Sequence, residues 1–287
     1  MKISAAIATF NEEDNIGHCL ESVVNLVDEI VVVDGSSTDR TVEIAKSFGA
    51  KVEIRPNHPI FHINKQLSFD LTNGDWILYL DADERVSPAL AKEIKQIISM
   101  SDQELEQYQL KLKNRRLFLR HQMLLEDRDG RVGDLDGQTN AFFIPRLNFF
   151  LGKYLRYGGV YPDGVIRLFR KGKAYLPCKD VHEQMVVSGK VGWLDHDLYH
   201  IDSPTFKRYL DRNSRYIDLI ANQLSQRKLA KNLVTIIDYN LVKPIDWLLK
   251  TLFRHKGILD GWQGIVFSIF SSLRFPRAYW RYWSNFR

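Results

Sequence analysis

Cysteine is scarce: Cys19 and Cys178 are the only two among 287 residues, and they lie far apart without ligand-like spacing. That excludes a disulfide framework and a cysteine-based zinc site, and it suits a reducing compartment. No uncharged apolar run reaches the length of a membrane span. The first apolar run turns polar and acidic at Asn11 to Asp14, too early for the core of a secretory signal, so no signal peptide is expected. Neither G-x-G-x-x-G nor G-x-x-x-x-G-K-[ST] occurs, which removes the dinucleotide and P-loop fingerprints. Repeats and low-complexity tracts are also lacking.

What is present is a chain long enough for one large catalytic domain plus an appendage. Its formal charge of +5 is unevenly placed. From Leu241 onward there are eight Lys or Arg against two Asp, so the rest of the chain is near neutral. The same tail carries Trp247, Trp262, Trp280 and Trp283. Aromatics mixed with cations suit a phospholipid headgroup region better than a nucleic-acid groove, so an anionic membrane surface is expected as a partner and nucleic acid is not. The competing reading of this tail is an ordinary helical hairpin packed on the domain.

Along the first hundred residues apolar runs alternate with helical patterns, the signature of a parallel sheet covered by helices. Strands are predicted at 3–9, 29–34, 51–54 and 76–80, with helices at 13–24, from 36–38 to about 49, at 63–71 and at 88–98. Ser36, Ser37 and Thr38 offer N-caps for the second helix, and Ser87-Pro88 opens the fourth. Beyond residue 100 the pattern weakens. Tyr108, Leu110 and Leu112 alternate with period two, and 126–140 reads as an exposed, mobile loop. Further strands are expected at 141–150, 165–169 and 191–194. A long helix capped by Ser203-Pro204 should run through Leu224, and helices should follow at 233–253 and 262–282.

The chemistry concentrates at strand ends. Asp81-Ala82-Asp83-Glu84 stands where an apolar strand stops, and in open α/β sheets ligands bind beyond the carboxyl ends of strands. Alternate carboxylates there can share a hard divalent ion, Mg²⁺ or Mn²⁺, with diphosphate oxygens and water, and so neutralise a departing nucleotide diphosphate. A solvated turn with an acidic helix start would look the same. Two further strand ends aim polar groups at the same edge: Thr9-Phe10-Asn11-Glu12-Glu13 and Asp34-Gly35-Ser36-Ser37-Thr38-Asp39. Their short acceptors suit a ribose or a base edge, and Gly35 lets backbone come close, while capping explains part of the same residues.

With TFNEE, VVVDGSSTDRT and YLDADE in this order and spacing, the first hundred residues resemble the nucleotide-binding half of family 2 glycosyltransferases of the GT-A fold. The resemblance implies an α/β, Rossmann-like, mostly parallel mixed sheet. It also implies that Thr9, Asn11 and Glu12 contact the nucleotide, that Asp34 reads the base, and that Asp81 and Asp83, flanking Ala82, hold ribose, metal and diphosphate. Ser36, Asp39 and Lys65 are further candidates in that pocket. Lys65 lies in INKQLSFDLTNGDW, where many relatives carry a small-residue and Arg-Asn pattern instead. From FFLGKYLRYGGVYPDGVIRLFRKGKA through VHEQ, to about residue 200, the chain resembles the bacterial lipopolysaccharide-core and envelope-polysaccharide branch of that family.

An inverting transfer needs a general base for the acceptor hydroxyl. Glu183 is the first candidate and Asp163 the second, although the family's Glu-Asp at a helix start is absent and Glu183 also reads as a strand-end salt bridge. His182, Arg167, Arg170 and His200 are candidate diphosphate, acceptor or metal-shell contacts. The expectation is therefore a GT-A catalytic domain over 1–202, with a nucleotide half (1–100) and an acceptor half (101–202), followed by a helical basic extension at 203–287. The donor expected is a nucleotide diphosphate sugar, a UDP-sugar by family weight. The acceptor is a glycolipid or polysaccharide, and the location is the inner face of the cytoplasmic membrane. The rival is a non-catalytic sugar-nucleotide sensor or scaffold on the same fold.

Overall fold

A computed structural model describes residues 1–179 and 184–284. The chain divides into two compact units: Met1–Arg146 with Pro162–His200, and Leu147–Tyr161 with Ile201–Arg287.

In the first unit, β1 (Ile3–Thr9), β2 (Glu29–Asp34), β3 (Lys51–Ile54) and β4 (Trp76–Asp81) form a parallel block of the main sheet. Helices α1 (Glu13–Val23), α2 (Thr41–Ser47) and α3 (His62–Asp70) connect them. Both faces of β1 are buried, which is why the strand reads as an unbroken apolar run. Ile7, Val32 and Leu80 pack on one side with Ile16 and Leu20 of α1. Ala6, Ile77 and Tyr79 pack on the other with Phe69 of α3. The short β5 (Glu84–Val86) leads into α4 (Pro88–Ser99), whose N-cap Ser87 accepts from Leu90 N at 3.2 Å.

The strands at 3–9, 29–34 and 51–54 fall where the pattern predicts them. The α2 cap does not. Ser37 and Thr38 bond to the loops around them, and Asp39 Oδ1 accepts from Thr41 N at 3.0 Å, so the helix starts later than expected. The stretch with period-two alternation is no strand either: Tyr108 and Leu110 close α5 (Asp102–Leu110), and Leu112 lies in the link to α6 (Arg115–Asp129). Leu105 is buried and Leu110 exposed, so the alternation marks no sheet face. A capping box between Ser101 and Glu104 starts α5, and Gly130 at φ 92° ends α6 inside the presumed loop.

Pro145 divides the predicted strand at 141–150 into β6 (Thr139–Ile144) and β7 (Arg146–Phe150). After β8 (Lys153–Leu155) come β9 (Val165–Arg170), the small strands β10 (Ala174–Tyr175) and β11 (Val186–Val187), then β12 (Lys190–Trp193) and β13 (Leu198–Ser203). The main sheet has the order β12-β6-β9-β4-β1-β2-β3. β9 runs antiparallel to both neighbours, so its first residues lie beside the end of β4. Leu198–His200 of β13 pairs antiparallel with β5, which sets His200 opposite Glu84.

In the second unit β7 pairs with β8, and Phe150, Leu155 and Tyr209 form a small core. Helix α7 (Phe206–Gln226) is capped by Thr205, whose hydroxyl accepts from Arg208 N, two residues beyond the expected Ser203. A continuous helical stretch then covers Leu233–Arg254, built from α8 (Leu233–Ile237), a π turn (Asp238–Val242), α9 (Lys243–Leu249) and a second π turn (Lys250–Arg254). The first π turn ends two residues before Pro244, which has no N–H to give to that turn. The final predicted helix is two, α10 (Trp262–Ser272) and α11 (Arg274–Ser284), because Pro276 can neither bond to Ser272 nor fit against its carbonyl.

Candidate active site

Register alone brings the strand ends together: Thr9 lies opposite Asp34, and Ala8 opposite Asp81. Asp34 is fully buried, and its carboxylate accepts from Ser37 N at 2.7 Å and from Ser37 Oγ at 2.6 Å. Asn11, at φ 53°, donates its N–H to Ser37 Oγ, while its Oδ1 accepts from Thr38 N, both at 2.8 Å. Glu12 N donates to Thr41 Oγ1, and Asp39 also accepts from Glu13 N. Ser36, at φ 65°, donates to Arg55 O. The two loops therefore clasp one another through the residues singled out as nucleotide contacts. A side chain at position 35 would meet Asn57 and Phe10 at 3.3 Å, so Gly35 allows the close approach of these segments. Thr9 Oγ1 is buried with no partner among the described residues, a polar atom held ready at the strand end.

The end of β4 is an ion cluster. Lys65 Nζ lies 2.5 Å from Asp81 Oδ1, which also accepts from Tyr79 OH at 3.1 Å. Arg167 donates to Asp81 Oδ2 and to Glu84 Oε1, and Arg146 adds contacts to Glu84 at 3.2 Å and Asp163 at 2.9 Å. Glu84 has no exposed surface, and its Oε2 accepts from Asp81 N at 3.0 Å. Burial would raise the Asp81 carboxyl, but Arg167 and Lys65 hold it well below the usual carboxylate range. Burial works against the Lys65 ammonium too, and Asp81 nevertheless raises its pKa. The rings of Phe61 and Tyr79 lie 4.8 and 5.0 Å from the same ammonium.

Asp83 follows a different course, with its Oδ2 3.5 Å from His200 Nε2. Among the described residues no three His, Cys, Asp or Glu converge as a ready-made metal cage. A hard cation at this end would have to draw most of its ligands from elsewhere, and a diphosphate and water supply oxygen ligands of the right kind. The donor set present fits that arrangement: Asp81 spends both oxygens on cationic side chains, and Asp83 stands beside a histidine.

Of the sequence-derived site residues, Thr9, Asn11, Glu12, Asp34, Ser36, Asp39, Lys65, Asp81, Ala82, Asp83, Arg167 and His200 lie on the strand-end loops, helix α3 and the strands beside them. Arg170 does not join them: it lies opposite Trp76 at the other end of β4, with its guanidinium over that ring at 4.6 Å, so its expected role as a ligand contact is withdrawn. His182 and Glu183 lie outside the described residues. Sequence reasoning missed Tyr79, Glu84 and Arg146 as parts of the site. Glu84 follows Asp81 by three residues, the spacing that lets its carboxylate return to the Asp81 N–H; Arg146, from β7, carried no sequence signal, whereas Arg167 of β9 was among the expected contacts.

The glycosyl transferase family 2 model matches residues 4–171, which contain the ends of β1, β2 and β4. The chain belongs to that family. It is a glycosyltransferase with a GT-A type fold. It is 42% identical over 281 residues to an uncharacterized glycosyltransferase of Rickettsia conorii, an alignment covering 96% of this chain and 88% of that protein. Against the lipopolysaccharide core biosynthesis glycosyltransferase LpsC of Rhizobium meliloti it is 31% identical over 297 residues, covering 96% and 92% of the two chains. Among solved structures, S. aureus TarS 1–349 in complex with UDP aligns over 100% of this glycosyltransferase and 93% of that chain, with a TM-score of 0.43 at 13% identity.

Proposed function

We propose that this glycosyltransferase moves a sugar, with inversion, from a nucleoside diphosphate, UDP in the simplest case, onto a lipopolysaccharide-core or related lipid-linked acceptor. The observation that carries the donor reading is the division of labour at the end of β4. Lys65, Tyr79 and Arg167 fix Asp81 as a charged, oriented acceptor beside the Asp34 and Thr9 strand ends, which suits ribose and base hydroxyl or amide donors. Asp83, with His200 beside it, would hold a divalent cation, which when bound neutralises charge on the diphosphate. The acceptor class rests on the likeness to LpsC.

Glu183 is our choice for the base that takes the acceptor proton. Asp163 is committed to Arg146 at 2.9 Å, an arrangement that suits positioning. The basic, tryptophan-bearing C-terminal region supports placement at the inner face of the cytoplasmic membrane; among the described residues no helix is long and apolar enough to cross one.

The test is hydrolysis and transfer from a panel of nucleotide sugars with Mn²⁺ or Mg²⁺. Asp83→Asn should lower turnover about 100-fold or more with the melting transition retained, and Glu183→Gln should lower transfer while nucleotide binding persists. Metal-independent turnover in Asp83→Asn would refute the cation site. Nucleotide-sugar binding with no turnover on any acceptor would favour a sensor or scaffold.

A further inference from the structure

Helix α10 packs Val266, Phe267 and Phe270 on the Phe150–Tyr209 core, but another face of it, and one face of the Leu233–Arg254 stretch, are built inside out. In α10 the buried positions are Gly264, Ser268, Ser271 and Ser272, whereas Trp262, Ile265 and Ile269 are exposed. The neighbouring stretch repeats the inversion: Pro244, Thr251 and Gly257 are buried, while Leu241, Ile245, Leu249 and Phe253 are each more than half exposed. Packing is close because the buried residues are small. A side chain at Gly264 would stand 2.0 Å from the Gly257 carbonyl oxygen, and Ser268 Oγ donates to Gly264 O at 2.7 Å.

In water, burial of apolar surface drives helices together, and small or hydroxyl-bearing residues are a poor choice for the buried side. In lipid that drive is absent. Close backbone approach and local hydroxyl bonds then hold helices together, and the outward face is apolar. An exposed face of this size is otherwise a liability in a water-soluble chain. The four outward side chains of 241–253 recur every fourth residue, and the π turn at Lys250–Arg254 underwinds the helix where an α-helix would carry that spacing around its axis. Leu233–Arg254 is about 33 Å long, and its exposed Asp246 and Lys250 pair at 2.6 Å beside the stripe. Arg254, His255 and Lys256 are exposed at its end, a cationic border that complements anionic headgroups.

We infer that residues 241–273 form a monotopic insertion element, lying in one leaflet with Leu241, Ile245, Leu249 and Phe253 of one helix and Trp262, Ile265 and Ile269 of the other among the acyl chains. The inference rests on the membrane placement proposed above and changes its nature. Attachment is by apolar burial, with the cations orienting it, so salt does not release the protein.

The test is flotation of the full chain with vesicles of phosphatidylethanolamine and phosphatidylglycerol at about 0.1 M and about 1 M NaCl, the latter shortening screening to ~3 Å. The expected result is retention at both. Lipids brominated on the acyl chain should quench tryptophan emission, and the quenching should fall in Trp262→Phe. The Leu249→Glu/Phe253→Glu double variant alters exposed positions only, and should reduce the bound fraction about tenfold or more with nucleotide-sugar hydrolysis and melting unchanged. Release at high salt without acyl-chain quenching would overturn insertion while leaving membrane placement standing. Absence of flotation at either salt would overturn both, and a dimer joined through this face in sedimentation, without flotation, would assign the surface to a second copy.

Discussion

Arg167 holds one guanidinium nitrogen, Nη2, against Oδ2 of Asp81 and, at 2.8 Å, against Oε1 of Glu84. A residue from the antiparallel β9 thereby joins the last residue of β4 to the first of β5. The two carboxylates lie three residues apart, and the cation between them helps hold Asp81 well below the usual carboxylate range.

Arg167→Met leaves Glu84 buried with Arg146 as its remaining cation among the contacts described and removes one of the two cations on Asp81. Loss of one partner of a buried pair costs about 3–5 kcal/mol. Equilibrium urea unfolding should show that drop, and Arg167→Lys should restore less than half of it because an ammonium does not reproduce the planar fork.

Acid should act through Glu29 as well as Asp81. Burial opposes the charge on Glu29, but Ser4 Oγ, the Asn73 N–H and Lys51 lower its pKa to about 2. A carboxyl depressed on folding contributes stability that is present above its unfolded value of about 4.3 and is lost as pH falls toward the folded value. Stability should therefore fall between about pH 4.5 and 2, and Glu29→Gln should make that part of the profile less steep. Asp81, held well below the carboxylate range, adds no slope above about pH 5. Thermal melts across this window would check both statements.

Gly264→Ala should destabilise the second unit. Its added carbon meets the Gly257 carbonyl oxygen, a backbone atom with little room to yield, so a loss of about 2–3 kcal/mol is expected. Gly17→Ala, in α1, meets only Ile44 Cγ2 at 3.4 Å and should be neutral or gain up to about 1 kcal/mol from helix propensity. Unfolding curves of the two variants would make the comparison.

The cysteines should differ in reactivity. Burial, together with the nearby Glu84, Asp83 and Asp81 carboxylates, raises the Cys19 thiol well above its ordinary value. Cys178 is partly exposed. Alkylation of the folded chain followed by mass mapping should label Cys178 first and Cys19 only on unfolding.

The strand ends were legible in the sequence because a parallel strand buried on both faces is written as one apolar run, and the polar residue that closes it marks the ligand edge. The region after residue 100 was not. There α5 and α6 carry few buried side chains, Leu105 and Phe118 among them, so no helical stripe stands out and the Ser101–Glu104 capping box is the local signal. The tail showed its cations and tryptophans, but composition cannot say which side of a helix faces inward.

By itself the sequence determined the order of strands and helices through residue 99 apart from the short β5, the acidic ends of the first, second and fourth strands, and the family, since each is set by local periodicity and motif spacing. Tertiary structure alone decided what those acids do. An antiparallel strand set about eighty residues farther along brings Arg167 to Asp81 and Glu84, β13 brings His200 to Asp83, and close packing of α10 on the stretch before it turns small residues inward on one face and leaves apolar ones outward. The physical reason is that ion pairing and packing depend on distance in space, which chain order specifies only after the sheet has formed.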